Sequence, residues 1–149
     1  MTTRSLMLLA CTLALSSCVT DDTSAPEHEP DVVVMRITVA NQQVEVKNSG
    51  EITGQEIVLH AGVTVSVSAV FLNASGERVD GVTAALYQLN GVTSGPVPIT
   101  FTRSNSDPFS GTIVCNVPNV TGHILFSLYN IEKQHDLWGP ADVPFVISN

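Results

Sequence analysis

The sequence predicts an all-β fold: a single antiparallel β-sandwich of roughly seven to nine short strands, following a leader and a short tether. Three observations predict it. From Asp31 onward apolar residues recur at every second position, which is the period of a strand with one face inward. No long stretch carries the three-to-four spacing of an amphipathic helix. Gly, Pro and Asn interrupt the apolar runs at short intervals, as turns between short strands require.

The elements follow in order. Val33, Met35, Ile37 and Val39 alternate with Val34, Arg36 and Thr38, and Val44 and Val46 flank Glu45. Ile57 and Leu59 lead into a turn at Ala61-Gly62. Val63, Val65, Val67, Ala69 and Phe71 alternate with Thr64, Ser66 and Ser68, the cleanest half-buried strand in the chain. Residues 73–76 (Asn-Ala-Ser-Gly) form a turn. Residues 82–89 read as a further strand, closed by Asn90-Gly91. Ile99 and Phe101 share a face in residues 96–103, and residues 104–108 form a polar loop. Ile113, Cys115 and Val117 share a face in residues 109–117, and residues 118–122 turn the chain. Ile124, Phe126 and Leu128 alternate with Leu125, Ser127 and Tyr129. Val143, Phe145 and Ile147 form a last strand paired inside the fold. This spacing suits a sandwich of immunoglobulin type.

The chain opens with Arg4 and an apolar run from Leu6 to Leu15, which is short of the roughly 20 residues that span a bilayer. A positive residue, a short apolar run and small residues read as a secretory signal peptide. The run ends in Leu15-Ser16-Ser17-Cys18, which resembles the lipobox of bacterial lipoproteins. The resemblance implies that residues 1–17 are removed. Cys18 then carries acyl chains on its thiol and new amino group, and two or more such chains anchor stably. Val19 and Thr20 follow the cysteine; in the enteric lipoproteins this motif resembles, Asp at that place favours inner-membrane retention, so the resemblance implies the outer membrane rather than the inner. The expected location is therefore the cell envelope, with the membrane reached through Cys18. Of the three cysteines, Cys11 leaves with the leader and Cys18 is acylated, so Cys115 has no partner for a disulfide.

Residues 18–30 read as the acylated cysteine and a flexible tether, rich in Thr, Asp, Ser, Pro and Glu. Residues 31–149 form the domain. About 130 residues remain after cleavage, enough for one core. Six Lys and Arg stand against fourteen Asp and Glu, for a net charge of −8. That balance argues against nucleic acid as a partner and against attraction to anionic lipid.

A second resemblance lies inside the domain. Residues 65–82 run from an alternating strand through Asn73-Ala74-Ser75-Gly76 to Val79 and Asp80-Gly81-Val82, and resemble the second-to-third strand region of bacterial Ig-like domains. Gly111-Thr112-Ile113 through Gly122-His123-Ile124-Leu125-Phe126 resembles their returning strand-turn-strand. Together these cover about a quarter of the chain, and the Cys-Trp-Cys core of antibody domains is absent. The family is mostly structural and adhesive, and the resemblance carries no catalytic residues to this chain.

The residues offer little chemistry. Residues 91–95 read Gly-Val-Thr-Ser-Gly, which is not the Gly-x-Ser-x-Gly of hydrolases. Cys115, with His123 or His135 as base, sits on an apolar face where a free cysteine behaves as a small hydrophobe. The histidines are scattered singly, Met35 is the one methionine left after cleavage, and Asp107, Asp136 and Asp142 form no calcium-loop pattern. No metal and no cofactor is read. The most distinctive segment is residues 132–140, read as the loop joining the last two strands. It holds the only Trp, and its candidate binding residues are His135, Asp136 and Trp138. The competing reading folds Trp138 back over the core, with Gly139-Pro140 making a turn. The expected function is a non-catalytic binding or structural module presenting end loops to an envelope protein or a glycan. An accessory subunit of an envelope complex is the alternative, and a small hydrolase a more distant one.

Overall fold

The computed structural model describes residues 28–96 and 99–149. The expected leader, the expected lipidation at Cys18 and the expected tether as far as Glu27 lie outside the described residues. Ten strands and no helix occur among the described residues. They are β1 Val34–Val39, β2 Gln42–Lys47, β3 Ile52–Gly54, β4 Ile57–His60, β5 Val65–Leu72, β6 Tyr87–Ser94, β7 Ile99–Arg103, β8 Ser110–Cys115, β9 Val120–Asn130 and β10 His135–Ser148.

Two sheets face each other. One has the order β3-β2-β1-β5-β8-β7 and the other β4-β10-β9-β6. Taking β1, β5, β8 and β7 as strands A, B, E and D, and β6, β9 and β10 as C, F and G, gives the connectivity of an immunoglobulin-type sandwich. β2 and β3 are a hairpin added beyond the first strand. The alternating residues meet between the sheets: Met35, Ile37, Val39, Val67, Ala69, Phe71, Ile113 and Cys115 from one, and Leu89, Ile124, Phe126, Leu128, Val143, Phe145 and Ile147 from the other. Burying a large apolar side chain of this kind contributes about 1.5–3 kcal/mol.

The structure corrects the strand reading in four places. Ten strands form rather than seven to nine. The extra count includes β3, whose three residues are all exposed and leave no alternation to read. The sandwich is not wholly antiparallel, because β4 pairs in parallel with β10, from Ile57 opposite Phe145 to His60 opposite Ser148. Residues 82–86 are irregular and turn rather than strand, and β6 starts at Tyr87 and runs straight through Asn90-Gly91. A glycine inside that strand is required by packing: a Cβ on Gly91 would stand 2.6 Å from Cδ1 of Phe101. Finally, β9 already begins at Val120 and β10 already at His135, so most of residues 132–140 is strand, not loop. Val117 falls beyond β8 and is 38% exposed, and Val63 lies ahead of β5 and is 48% exposed.

One free edge is managed by a side chain. On β4, the Gln42 side chain imitates a neighbouring strand: its Oε1 accepts from Val58 N at 2.7 Å and its Nε2 donates to Val58 O at 2.8 Å. That satisfies the edge groups a further strand would otherwise seek. Registers define the two ends of the molecule. Val34 lies opposite Lys47 and Leu72, and Asn130 lies opposite Tyr87 and His135. Glu29 pairs with Lys133 across the two, so the entering chain and the β9–β10 turn share one end. Gly62 N bonds Cys115 O and Ala61 N bonds Ser148 O, so the β4–β5 turn and the last residues share the other.

Candidate functional site

The β9–β10 hairpin and the chain segment that enters beside it form the most elaborated surface. The turn is closed by Asn130, almost wholly buried, whose Oδ1 accepts from Lys133 N at 2.9 Å. Asp136 lies opposite Tyr129, Trp138 opposite Leu128 and Ala141 opposite Phe126, so β10 carries an extra residue in each interval. These two bulges reset which residues face inward. Leu128 and Phe126 are core residues, so Trp138 and Ala141 opposite them face inward too, and Trp138 is 6% exposed. Gly139 makes the second bulge possible. It adopts φ +94°, and a Cβ there would stand 2.7 Å from Phe126 O.

The three candidate residues therefore do not form one surface. His135 and Asp136 are exposed, and Trp138 packs into the core as the competing reading of this segment had it. Asp136 Oδ1 accepts from Ser127 Oγ at 2.7 Å, which satisfies a hydroxyl that is itself buried.

Residues that sequence reasoning gave to the tether join this surface. Glu29 Oε1 accepts from Lys133 Nζ at 2.9 Å and lies 3.3 Å from His135 Nε2. The Lys133 hydrogen bond, with smaller help from the charges of Lys133 and His135, holds the Glu29 carboxyl below its ordinary value. Pro30 packs over Gly81, where a Cβ would stand 3.1 Å from Pro30 Cγ. Val32 is buried. Asn48 ties the same segment from β2: Asn48 N donates to Val33 O and Asn48 Nδ2 to Val32 O, both at 3.0 Å. No sequence signal marks these contacts, because Glu29 and Lys133 lie 104 residues apart.

Between the entering segment, the β2–β3 turn and the bulged part of β10 lies a cleft of about 650 Å³. Glu29, Asp31, Lys47, Asn48, Trp138 and Asp142 are among its lining residues. A second cleft, of about 420 Å³ and more apolar, lies between Ile52, Ile57, Pro144 and Phe145. His123 is on its wall and pairs with Asp142 at 2.9 Å.

Against this geometry, comparison with family models, with curated proteins and with solved structures finds no match.

The remaining reactive groups stand apart. Cys115 is fully buried and its Sγ donates to Val117 O at 3.6 Å. His123 and His135 lie near opposite ends of the β9–β10 ladder, opposite Pro144 and Asn130. Ser148 Oγ lies 2.8 Å from His60 Nδ1 at the far end of the molecule, and it also contacts the carbonyls of Leu59 and Asn149. Among the described residues no Asp or Glu side chain is bonded to His60, whose Nδ1 lies 3.0 Å from the main-chain oxygen of Asn149, and no group of three His, Cys, Asp or Glu side chains is placed to hold a metal ion. Chemically, the cleft offers carboxylates and an ammonium around a concavity that Trp138 helps to line, with its indole N–H buried, which is equipment for non-covalent binding.

Proposed function

We propose that this chain is a lipid-anchored protein of the bacterial cell envelope, at the outer membrane, whose sandwich is a non-catalytic binding module for an envelope protein or glycan. The observation that carries the proposal is Leu15-Ser16-Ser17-Cys18 at the end of a short apolar run. The fold supports it, since a β-sandwich with clefts near one end is a scaffold that places side chains for recognition. The composition supports it as well: the strong acidic balance disfavours nucleic acid.

The direct test expresses the full chain in a bacterium supplied with an alkyne-bearing fatty acid, then separates membranes from soluble fractions. The wild type is expected to be labelled and membrane-bound, and Cys18→Ala unlabelled and released. A wild type that is unlabelled and soluble overturns the anchor. Protease treatment of intact and lysed cells then separates the readings. Loss of the domain from intact cells supports external ligand capture. Protection until lysis favours an accessory subunit facing the periplasm.

A further inference from the structure

The cleft beside β10 has a composition that selects for a ligand class. Its walls are residues 29–32, residues 46–48 with Gly50, and residues 137–142 of β10. The first wall is tied at both ends, by Glu29 to Lys133 and His135, and by Asn48 to Val32 and Val33. Trp138 lines the same cleft. Its indole N–H is sealed from solvent, and among the described residues it has no acceptor. Buried donors are almost always paired, so an orphan of this kind on a cleft wall calls for an acceptor from outside the chain.

The charges narrow what can supply it. Three carboxylates line the cleft, Glu29, Asp31 and Asp142, against the single ammonium of Lys47. Lys47 is already held by Glu51 at 2.9 Å, Glu29 by Lys133 and Asp142 by His123. Asp31 is exposed and has no ion pair among the described residues. An anionic ligand meets repulsion from this lining, and a purely apolar one leaves both the indole N–H and Asp31 without a partner. A hydroxyl serves both, accepting from the indole and donating to the carboxylate. A volume of about 650 Å³ falls within the range of small-ligand sites.

We propose that this cleft is the ligand site of the module and that its ligand is a neutral saccharide, an inference that rests on the binding-module reading above. One hydroxyl takes the Trp138 N–H and another engages Asp31. The indole N–H has no solvent-accessible surface, so seating the sugar requires the wall that covers it to open.

The test uses the full lipidated chain in detergent and four probes: cellotetraose, maltotetraose, tetra-N-acetylchitotetraose and, as an anionic counterpart, tetragalacturonate. Trp138 is the only tryptophan, so its emission reports directly on the cleft. At least one neutral tetrasaccharide is expected to give a saturable emission change and a matching calorimetric heat, with at least tenfold weaker binding of tetragalacturonate. Asp31→Asn and Trp138→Phe are each expected to weaken that binding at least tenfold by calorimetry. Asp107→Asn, at the same end but outside the cleft, leaves it unchanged. Because Asp31 is exposed, Asp31→Asn keeps the test valid should Trp138→Phe fold poorly. Absence of binding by all three neutral probes overturns the proposal. So does binding that survives both cleft variants, in which case the module reading stands with its site elsewhere. Failure of the module reading itself shows in the labelling and fractionation experiment, which does not depend on any sugar.

Discussion

Replacing Gly91 by alanine tests the packing logic of the sandwich at one atom. The Phe101 ring, on β7, lies edge-on to Phe126 with centroids 5.5 Å apart and planes at 83°. It also lies over two glycines from different strands. A Cβ on Gly91 would stand 2.6 Å from Cδ1 and 2.9 Å from Cγ, and one on Gly111 would stand 2.6 Å from Cε2. Carbon atoms pack best at about 3.5–4.0 Å, so the new methyl overlaps the ring by about 1 Å. The ring has little room to retreat, because Gly111 and Phe126 bound it elsewhere. Overpacking of this kind costs about 1–3 kcal/mol, and the upper part of that range applies to a boxed ring. Removing a glycine from a strand returns about 0.5–1 kcal/mol of backbone entropy. The net expectation for Gly91→Ala is a loss of about 2 kcal/mol, or roughly 6–10 °C in Tm for a domain this size. Urea denaturation with an unchanged m-value measures it. The decisive comparison is the double-mutant cycle. In a Phe101→Ala background the same substitution is expected to be neutral or slightly stabilising, since its only severe contact is gone. Equal losses in both backgrounds, or a single-variant loss under 0.5 kcal/mol, would refute the reasoning.

Other perturbations follow from the same structure. Gln42→Ala leaves Val58 N–H and C=O unpaired at the β4 edge, and is expected to cost about 1–2 kcal/mol in urea melts and to raise self-association by light scattering. Gly139→Ala forces a side chain into φ +94° and toward Phe126 O, and is expected to cost at least about 2 kcal/mol and to blue- or red-shift Trp138 emission as the bulge rearranges. The Glu29 tie is expected to depend on pH in a defined direction. Its carboxyl is held below the ordinary 4.5 in the folded state, so the stabilisation is complete above that value and is lost as pH falls through the lower folded value. Amide exchange of Asp31 and Val32, followed from pH 6 to pH 3, is expected to quicken relative to the core, and Glu29→Gln is expected to remove that pH dependence.

Much of the fold was legible because strand burial is a local pattern. Val67, Ala69 and Phe71, or Ile124, Phe126 and Leu128, alternate in the sequence because alternate side chains point to opposite faces whatever the neighbours are. The errors came where neighbours decide. Gly91 reads as a turn residue until Phe101 from another sheet is seen to occupy its side-chain space. β3 buries nothing, so it has no apolar signature, and only its bonding to β2 makes it a strand. The candidate segment divides for a related reason. His135, Asp136 and Trp138 stand close in sequence, but two bulges in β10 turn the indole inward and leave the other two outside. Glu29, which builds the cleft with Asn48 and Trp138, was read as part of the tether.

The sequence by itself determined the all-β class, the inward and outward faces of nearly every long strand, and the buried place of Cys115, because these depend on periodicity and hydrophobicity along a few consecutive residues. Tertiary structure alone decided the strand order, the parallel pairing of β4 with β10, the glycine seats around Phe101, and the cleft that gathers Glu29, Asp31, Asn48 and Trp138. Those features depend on which distant segments meet, and the energies that select them are summed over the whole sandwich rather than written in any one stretch of chain.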